Sequence, residues 1–85
     1  MLPLELKEQP AILRLLARAL MTGEQEKRSA ALRLEAAVGK RWRSLPGLAE
    51  RYLEAFAGRT RPRIEDVVDF LLGDAGFRRV RHRLF

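Results

Sequence analysis

The sequence has no cysteine, which excludes disulfide bonds and thiolate metal ligands. It also has no uncharged apolar run close to the roughly 20 residues that a membrane-spanning helix needs. Residues 1–10 carry Glu5 and Glu8 and lack the basic stretch that precedes the apolar run of a signal peptide. We therefore expect a soluble, cytoplasmic protein that does not associate with a membrane.

Residue types suited to catalysis are scarce. The chain has one histidine, His82, and two serines, and their spacing cannot assemble a nucleophile, a base and an orienting group. Asp66 and Asp69 stand three residues apart and could share a metal ion. The acidic block that contains them is better explained as a solvated helix face or a docking surface, because carboxylates near a helix start are stabilised by the helix dipole. We expect no enzymatic activity, no metal and no cofactor.

Positive charge is present in excess. The formal net charge is +6 and the isoelectric point is about 11.0. Arginine supplies fourteen of the seventeen cations, and its planar guanidinium group binds phosphate in a bidentate way and stacks on bases. A basic surface that serves solubility, or an arginine-biased genome, would give the same composition. Composition alone therefore leaves polyanion binding as one of two alternatives.

Apolar residues recur at intervals of three and four along the whole chain, which predicts helices and no strands. Glycine and proline divide the chain into four helices and a short fifth. We predict one all-α domain over residues 1–85, a compact four- to five-helix bundle with short loops. Residues 1–9 form an N-terminal lead, and residues 77–85 form a basic C-terminal helix or tail.

Local signals place the ends of the first two helices. The first helix is expected to begin at Pro10, because proline suits the first helical turn, and to end near Met21. Thr22 and Gln25 have the spacing of a capping box, so the second helix is expected to begin there and to end at Gly39.

The later helices are marked in the same way. Ser44 is expected to cap the third helix, which should end at Gly58. The fourth should restart at Pro62, and Asp74 should cap the last short helix. The third helix has the clearest amphipathic pattern, and its predicted buried stripe is Leu45, Leu48, Ala49, Tyr52, Leu53 and Phe56.

Three short stretches concentrate the cations, and we call residues 40–43, 59–63 and 78–83 the basic segments. Alternate loops of an up-down bundle share an end, so segments 40–43 and 59–63 are expected at opposite ends. The position of segment 78–83 then decides whether a continuous basic surface forms. The candidate nucleic-acid-binding residues are Lys40, Arg41, Trp42, Arg43, Arg59, Arg61, Arg63, Arg78, Arg79, Arg81 and Arg83.

The only tryptophan, Trp42, allows two interpretations. An indole ring in a loop often covers the end of a small core. An indole flanked by cations is also suited to stacking on an unpaired base while its neighbours hold phosphates.

Three stretches in order and spacing, "LARALMTGE", "GKRWRSLPGLAERYLEAF" and "RPRIEDVVDFLLGDAGFRR", resemble the N-terminal helical region of bacterial retron-like reverse transcriptases. The resemblance covers about residues 12–80. It rests on Trp42, Leu45, Leu48, Arg51, Leu53, Phe56, Arg61-Pro62-Arg63, Phe70-Leu71 and Asp74-x-Gly76-Phe77-Arg78.

The resemblance implies a helical module that works beside an enzyme handling RNA and DNA. The metal-binding Tyr-x-Asp-Asp strand of the polymerase is missing, since the only tyrosine reads Tyr52-Leu53-Glu54. The resemblance therefore implies a detached extension or a separate small subunit, and no catalytic residue is carried over.

Together these features predict a non-catalytic nucleic-acid-binding accessory subunit of a larger complex, associated with a reverse transcriptase or a similar enzyme. Its partners would be nucleic acid, RNA more than DNA, and a larger protein of the same complex, with oligomerisation possible. Two alternatives remain. One is a small helical subunit of a CRISPR effector complex, and the other is a protein–protein adaptor that uses the basic last helix and the acidic face.

Overall fold

Five α-helices follow one another along the part of the chain that the computed structural model describes, which is residues 7–21, 23–45 and 47–85. They are α1 (Gln9–Leu20), α2 (Glu24–Val38), α3 (Leu48–Ala55), α4 (Ile64–Gly73) and α5 (Ala75–Val80). Short 3₁₀ helices cover Lys40–Ser44 and Arg81–Arg83. These described residues contain no strand, and the predicted all-α fold is confirmed. Residues 1–6 of the N-terminal lead and Thr22 of the expected capping box lie outside the described residues.

Helix α1 forms its largest interface with α2 and a second one with α4. Its buried side chains include Ile12, Leu13 and Leu16, which recur at the spacing of one helix face. Leu34 of α2 and Leu71 of α4 are fully buried in the same core. Helix α2 ends at Gly39, whose φ of 77° favours glycine over residues that carry a Cβ.

The C-terminal segment belongs to the core. Phe77 of α5 and Leu84, which follows the last 3₁₀ helix, have no solvent exposure. The predicted basic helix over residues 77–85 is therefore a six-residue α-helix followed by a 3₁₀ turn, and its apolar side chains hold it against the bundle. This anchoring fixes where the arginines of segment 78–83 stand.

The third helix differs from the expectation. Leu45, Leu48, Tyr52 and Phe56 are buried, but Ala49 and Leu53 are exposed, so the predicted stripe was wrong at these two positions. Helix α3 begins at Leu48, and the buried side chains from there on are spaced four residues apart. Ala49 and Leu53 each come directly after a buried residue, so they lie on a different side of the helix and face solvent.

The predicted capping role of Ser44 was also wrong. Its hydroxyl donates a hydrogen bond of 2.9 Å to the carbonyl oxygen of Arg41, and this closes the 3₁₀ helix. Gly47 occupies the position before α3 instead, with a φ of 68°. The fourth helix begins at Ile64, after an extended Arg63, and not directly at Pro62.

An ion pair joins α3 to the junction of α4 and α5. The Nε of Arg51 donates to Oδ1 of Asp74 at 2.8 Å, and its Nη2 donates to Oδ2 at 2.8 Å. Asp74 also accepts a hydrogen bond of 2.7 Å from the backbone amide of Phe77, which confirms it as the cap of α5. One carboxylate therefore fixes both the start of α5 and its position beside α3.

Two glycines make room for the Arg51 guanidinium group. A Cβ atom on Gly47 would lie 2.6 Å from Nη1, and a Cβ atom on Gly76 would lie 2.5 Å from Nη2. Both distances are far inside van der Waals contact, so a Cβ atom at either position would require the guanidinium group to shift. We call Arg51, Asp74, Gly47 and Gly76 the arginine clamp.

The clamp predicts different effects for two glycines that lie three residues apart. Gly76→Ala should give a free energy of unfolding about 1 kcal/mol lower than that of Gly73→Ala, because both gain helix propensity and only Gly76→Ala disturbs the partly solvent-screened ion pair. Gly73→Ala, where the new Cβ has no atom within 4 Å, should leave the wild-type value unchanged or raise it by up to about 1 kcal/mol. Urea denaturation of both variants measures the difference, and equal effects would contradict the clamp.

The clamp also predicts a dependence of stability on pH. Its hydrogen bonds from Arg51 lower the pKa of Asp74 below the usual value of 3.8. A carboxyl group whose pKa is lower in the folded state stabilises the fold above the unfolded-state pKa and loses this contribution as pH falls through the folded-state pKa. The difference in unfolding free energy between the wild type and Asp74→Asn should therefore have its largest value at neutral pH and shrink below about pH 4.

Denaturation at a series of pH values checks this, with Asp69→Asn as the variant of equal charge change. A difference that is constant with pH would contradict it.

Candidate nucleic-acid interface

Positive and negative side chains are distributed unevenly along the chain, and the basic segments hold only positive ones. They hold ten of the seventeen lysine and arginine residues and none of the eleven carboxylates. The remaining residues carry seven cations against eleven carboxylates and are net negative. The net charge of +6 is therefore a property of three short stretches and not of the whole surface.

Segment 40–43 lies on the first 3₁₀ helix, directly after α2. Lys40, Arg41 and Arg43 are exposed. Arg43 pairs with Glu35 of α2, with its Nη2 2.6 Å and its Nε 2.7 Å from Oε1 of the carboxylate. Lys40 and Arg41 have no ion-pair partner among the described residues, so their charges face solvent.

Trp42 is half-buried and packs against the hydrophobic core. The guanidinium carbon of Arg43 stands 5.3 Å from the centre of the indole ring. The indole Nε1 is buried and has no acceptor among the described residues. This position is the one expected of an indole ring that covers the end of the core. The guanidinium group of Arg43 beside the ring limits the area left for stacking on a base.

Segment 59–63 lies beside carboxylates. Arg59 donates a hydrogen bond of 2.8 Å to Asp66 of α4 and covers the ring of Phe56, 5.0 Å from its centre. Arg61 and Arg63 are exposed and have no ion-pair partner in the described part of the chain. Arg61 lines a cleft that Glu26 at the start of α2 also lines.

Segment 78–83 begins in the last turn of α5 and continues through the second 3₁₀ helix. Arg78, Arg79 and Arg83 are exposed, and Arg81 is half-buried with its guanidinium carbon 5.2 Å from the ring centre of Phe85. None of these four arginines has a carboxylate partner within residues 7–21, 23–45 and 47–85. The three exposed arginines are therefore available to an external anion, and Arg81 is partly occupied by the ring of Phe85.

Segments 40–43 and 59–63 stand at opposite ends of α2, as the up-down arrangement predicts. Arg61 shares its cleft with Glu26 in the first turn of α2, whereas Lys40 follows the end of α2 at Val38. The twelve helical steps from Glu26 to Val38 span about 18 Å. These two segments cannot contact the same phosphate.

No local pattern in the sequence indicates the arginine clamp. Arg51 and Asp74 are 23 residues apart and lie on different helices. Both residues belong to the set on which the family resemblance rests, and Asp74 was also predicted as a helix cap. Both residues that hold α5 in place were therefore named in the sequence analysis, but the contact between them was not predicted.

The described residues hold no group of three or more His, Asp or Glu side chains placed to bind a metal ion. Within the same residues no helix is both long and apolar enough to cross a bilayer. No protein-family model, curated protein sequence or solved structure matches the chain.

The packing of Trp42 predicts a loss of stability on truncation. Trp42→Ala should lower the free energy of unfolding by about 2–3 kcal/mol, less than for a fully buried tryptophan, because the ring is only half-buried. Trp42→Phe should cost less than about 1.5 kcal/mol, since it keeps a ring and removes the unpaired N–H group. Chemical denaturation measures both, and a Trp42→Ala variant as stable as the wild type would contradict core packing.

Proposed function

We propose that this chain is a non-catalytic nucleic-acid-binding accessory module, and that its arginines hold the phosphates of a strand bound by a larger complex. One observation carries the proposal. Eight of the ten cations in the basic segments have no carboxylate partner among the described residues, and the two that do, Arg43 and Arg59, are paired at exposed positions. Arg51, which lies closer to the core, is occupied by Asp74.

The chemistry of guanidinium groups supports phosphate as the ligand. Arginine presents parallel N–H donors that match two phosphate oxygens, and each contact releases counterions condensed on the nucleic acid. Such contacts fix the position of the backbone and carry little sequence information. The module would therefore raise the affinity of a complex for nucleic acid and leave the choice of sequence to its partner.

The family resemblance favours RNA over DNA as the ligand and a reverse transcriptase or a similar enzyme as the larger partner. In this proposal the protein acts in the cytoplasm, together with the RNA it binds. Oligomerisation would multiply the phosphate contacts, because linked sites bind one strand with a high effective concentration.

A protein–protein adaptor is the second candidate, and one exposed stripe of α4 favours it. Glu65, Asp69 and Leu72 recur at intervals of four and three residues, so they share one helix face, and all three are exposed. Leu72 is 44% exposed and offers an apolar contact beside the two carboxylates. A partner helix with basic and apolar residues would fit this stripe.

Salt titration tests the proposed function. For a single-stranded RNA of about 16 nucleotides, log K should fall linearly with log salt, with a slope of about −0.7 for each phosphate contact. Arg78→Ala combined with Arg79→Ala should flatten the slope by about 1.4, because two contacts are lost. Fluorescence anisotropy at salt concentrations between about 50 and 200 mM measures this.

The matched control is Arg14→Ala combined with Arg33→Ala, which removes the same charge from exposed positions outside the basic segments. Its slope should remain that of the wild type. If the wild type binds no RNA at about 50 mM salt, the nucleic-acid proposal fails and the adaptor becomes the better account. Equal flattening by both double variants would indicate attraction by net charge without a defined surface.

A further inference from the structure

The arginine clamp lies between two of the three basic segments. One side of the Arg51 guanidinium group is closed by Gly47, four residues after Arg43, and the other side by Gly76, two residues before Arg78. The contact distances place these two glycines within roughly 10 Å of each other. Four chain steps join Arg43 to Gly47 and two join Gly76 to Arg78, so the Cα atoms of Arg43 and Arg78 lie within about 14 Å and about 7 Å of these glycines.

Segment 59–63 lies at the end of α4 opposite to the clamp. Helix α4 runs from Ile64 to Gly73, so its ten residues, about 15 Å, separate Arg63 from Asp74 of the clamp. Arg61 also lies beside the start of α2, the end opposite to Lys40.

The local charge differs between the two ends as well. At the far end Arg59 is paired with Asp66, and Glu26 lines the cleft beside Arg61. At the clamp end Arg43 is paired with Glu35 and Glu50 lines the cleft beside Arg43, but Asp74 is already neutralised by Arg51 and none of the cations of segment 78–83 is paired among the described residues. Segments 40–43 and 78–83 therefore keep six cations without a carboxylate partner in the described part of the chain, and segment 59–63 keeps two.

We propose that segments 40–43 and 78–83 form one binding face for a nucleic-acid backbone, that segment 59–63 takes no part in it, and that Arg51 and Asp74 are its positioning residues. This inference rests on the proposed function and specifies its surface. The face carries seven cations, and the clamp holds its two halves beside each other before a strand arrives. Preorganisation of this kind reduces the ordering cost of binding.

Two double variants of equal charge change test which segments bind. Arg41→Ala combined with Arg79→Ala takes one cation from each half of the face, and the slope of log K against log salt for RNA should flatten by about 1.4. Arg61→Ala combined with Arg63→Ala takes two exposed cations from segment 59–63, and the slope should stay at the wild-type value. Equal flattening by both pairs, or flattening by the second pair alone, overturns the proposal.

Asp74→Asn tests the positioning role, because a pure charge effect and the loss of the clamp predict opposite changes in RNA affinity. Asparagine is as good a helix cap as aspartate, so α5 keeps its start and only the ion pair with Arg51 is lost. The substitution raises the net charge by one unit, so a pure charge effect would tighten RNA binding. The clamp predicts that binding weakens by about twofold to tenfold, because the two halves are no longer held together. Tighter binding, or binding equal to the wild type, contradicts the positioning role.

Controls separate this inference from loss of the fold and from loss of the function. Circular dichroism must show wild-type helicity for Asp74→Asn, and Arg51→Lys, which keeps the charge but loses the bidentate geometry, should weaken binding in the same direction. If the wild type binds no RNA, the proposed function itself fails. If it binds RNA but segment 59–63 contributes equally, only the two-part face fails. If vesicles of anionic lipid bind and RNA does not, the ligand is a membrane surface and the proposal is overturned.

Discussion

The ion pair between Arg51 and Asp74 is the constraint on which the arrangement of the basic segments depends. It joins α3 to the start of α5, and the same carboxylate caps α5 through the amide of Phe77. Most of the energy that docks the C-terminal segment comes from the burial of Phe77 and Leu84, since a partly exposed ion pair contributes little by itself. The pair supplies orientation, because its fork geometry allows one position of α5 beside α3.

Cations gathered at one end of a small domain repel one another, by about 1 kcal/mol for two unit charges 4 Å apart in water. In this chain the repulsion is opposed by covalent connection and by apolar anchors, and only Arg43 within the face has a carboxylate partner among the described residues. A polyanion would remove the repulsion and gain the contacts at the same time. The half-buried Trp42 fits this picture as a support for segment 40–43, because its ring ties the 3₁₀ helix to the core beneath the exposed cations.

The helical class, the number of helices and the cap at Asp74 could be predicted from the sequence, because glycine, proline and apolar spacing act locally. Ser44 and Leu53 were misjudged for a related reason. Residues 40–44 form a 3₁₀ helix, so α3 begins at Leu48 and not directly after Ser44. The side of α3 that packs on the core therefore differs from the predicted one. The contact between Arg51 and Asp74 could not be predicted from local sequence patterns, because no helical periodicity relates residues that are 23 positions apart. Whether the basic segments share a surface depends on that long-range contact, and the sequence left the question open.

The most direct test of the account is the change in the Nε–Hε resonances of the arginine side chains when single-stranded RNA is added to the protein, followed by two-dimensional ¹H–¹⁵N spectroscopy. The account predicts that the resonances of Arg41 and Arg79 shift together with increasing RNA, while those of Arg61 and Arg63 stay in place. Arg51, held by Asp74, should keep a protected resonance throughout. Shifts centred on residues 59–63, or on the acidic face of α4, would contradict it.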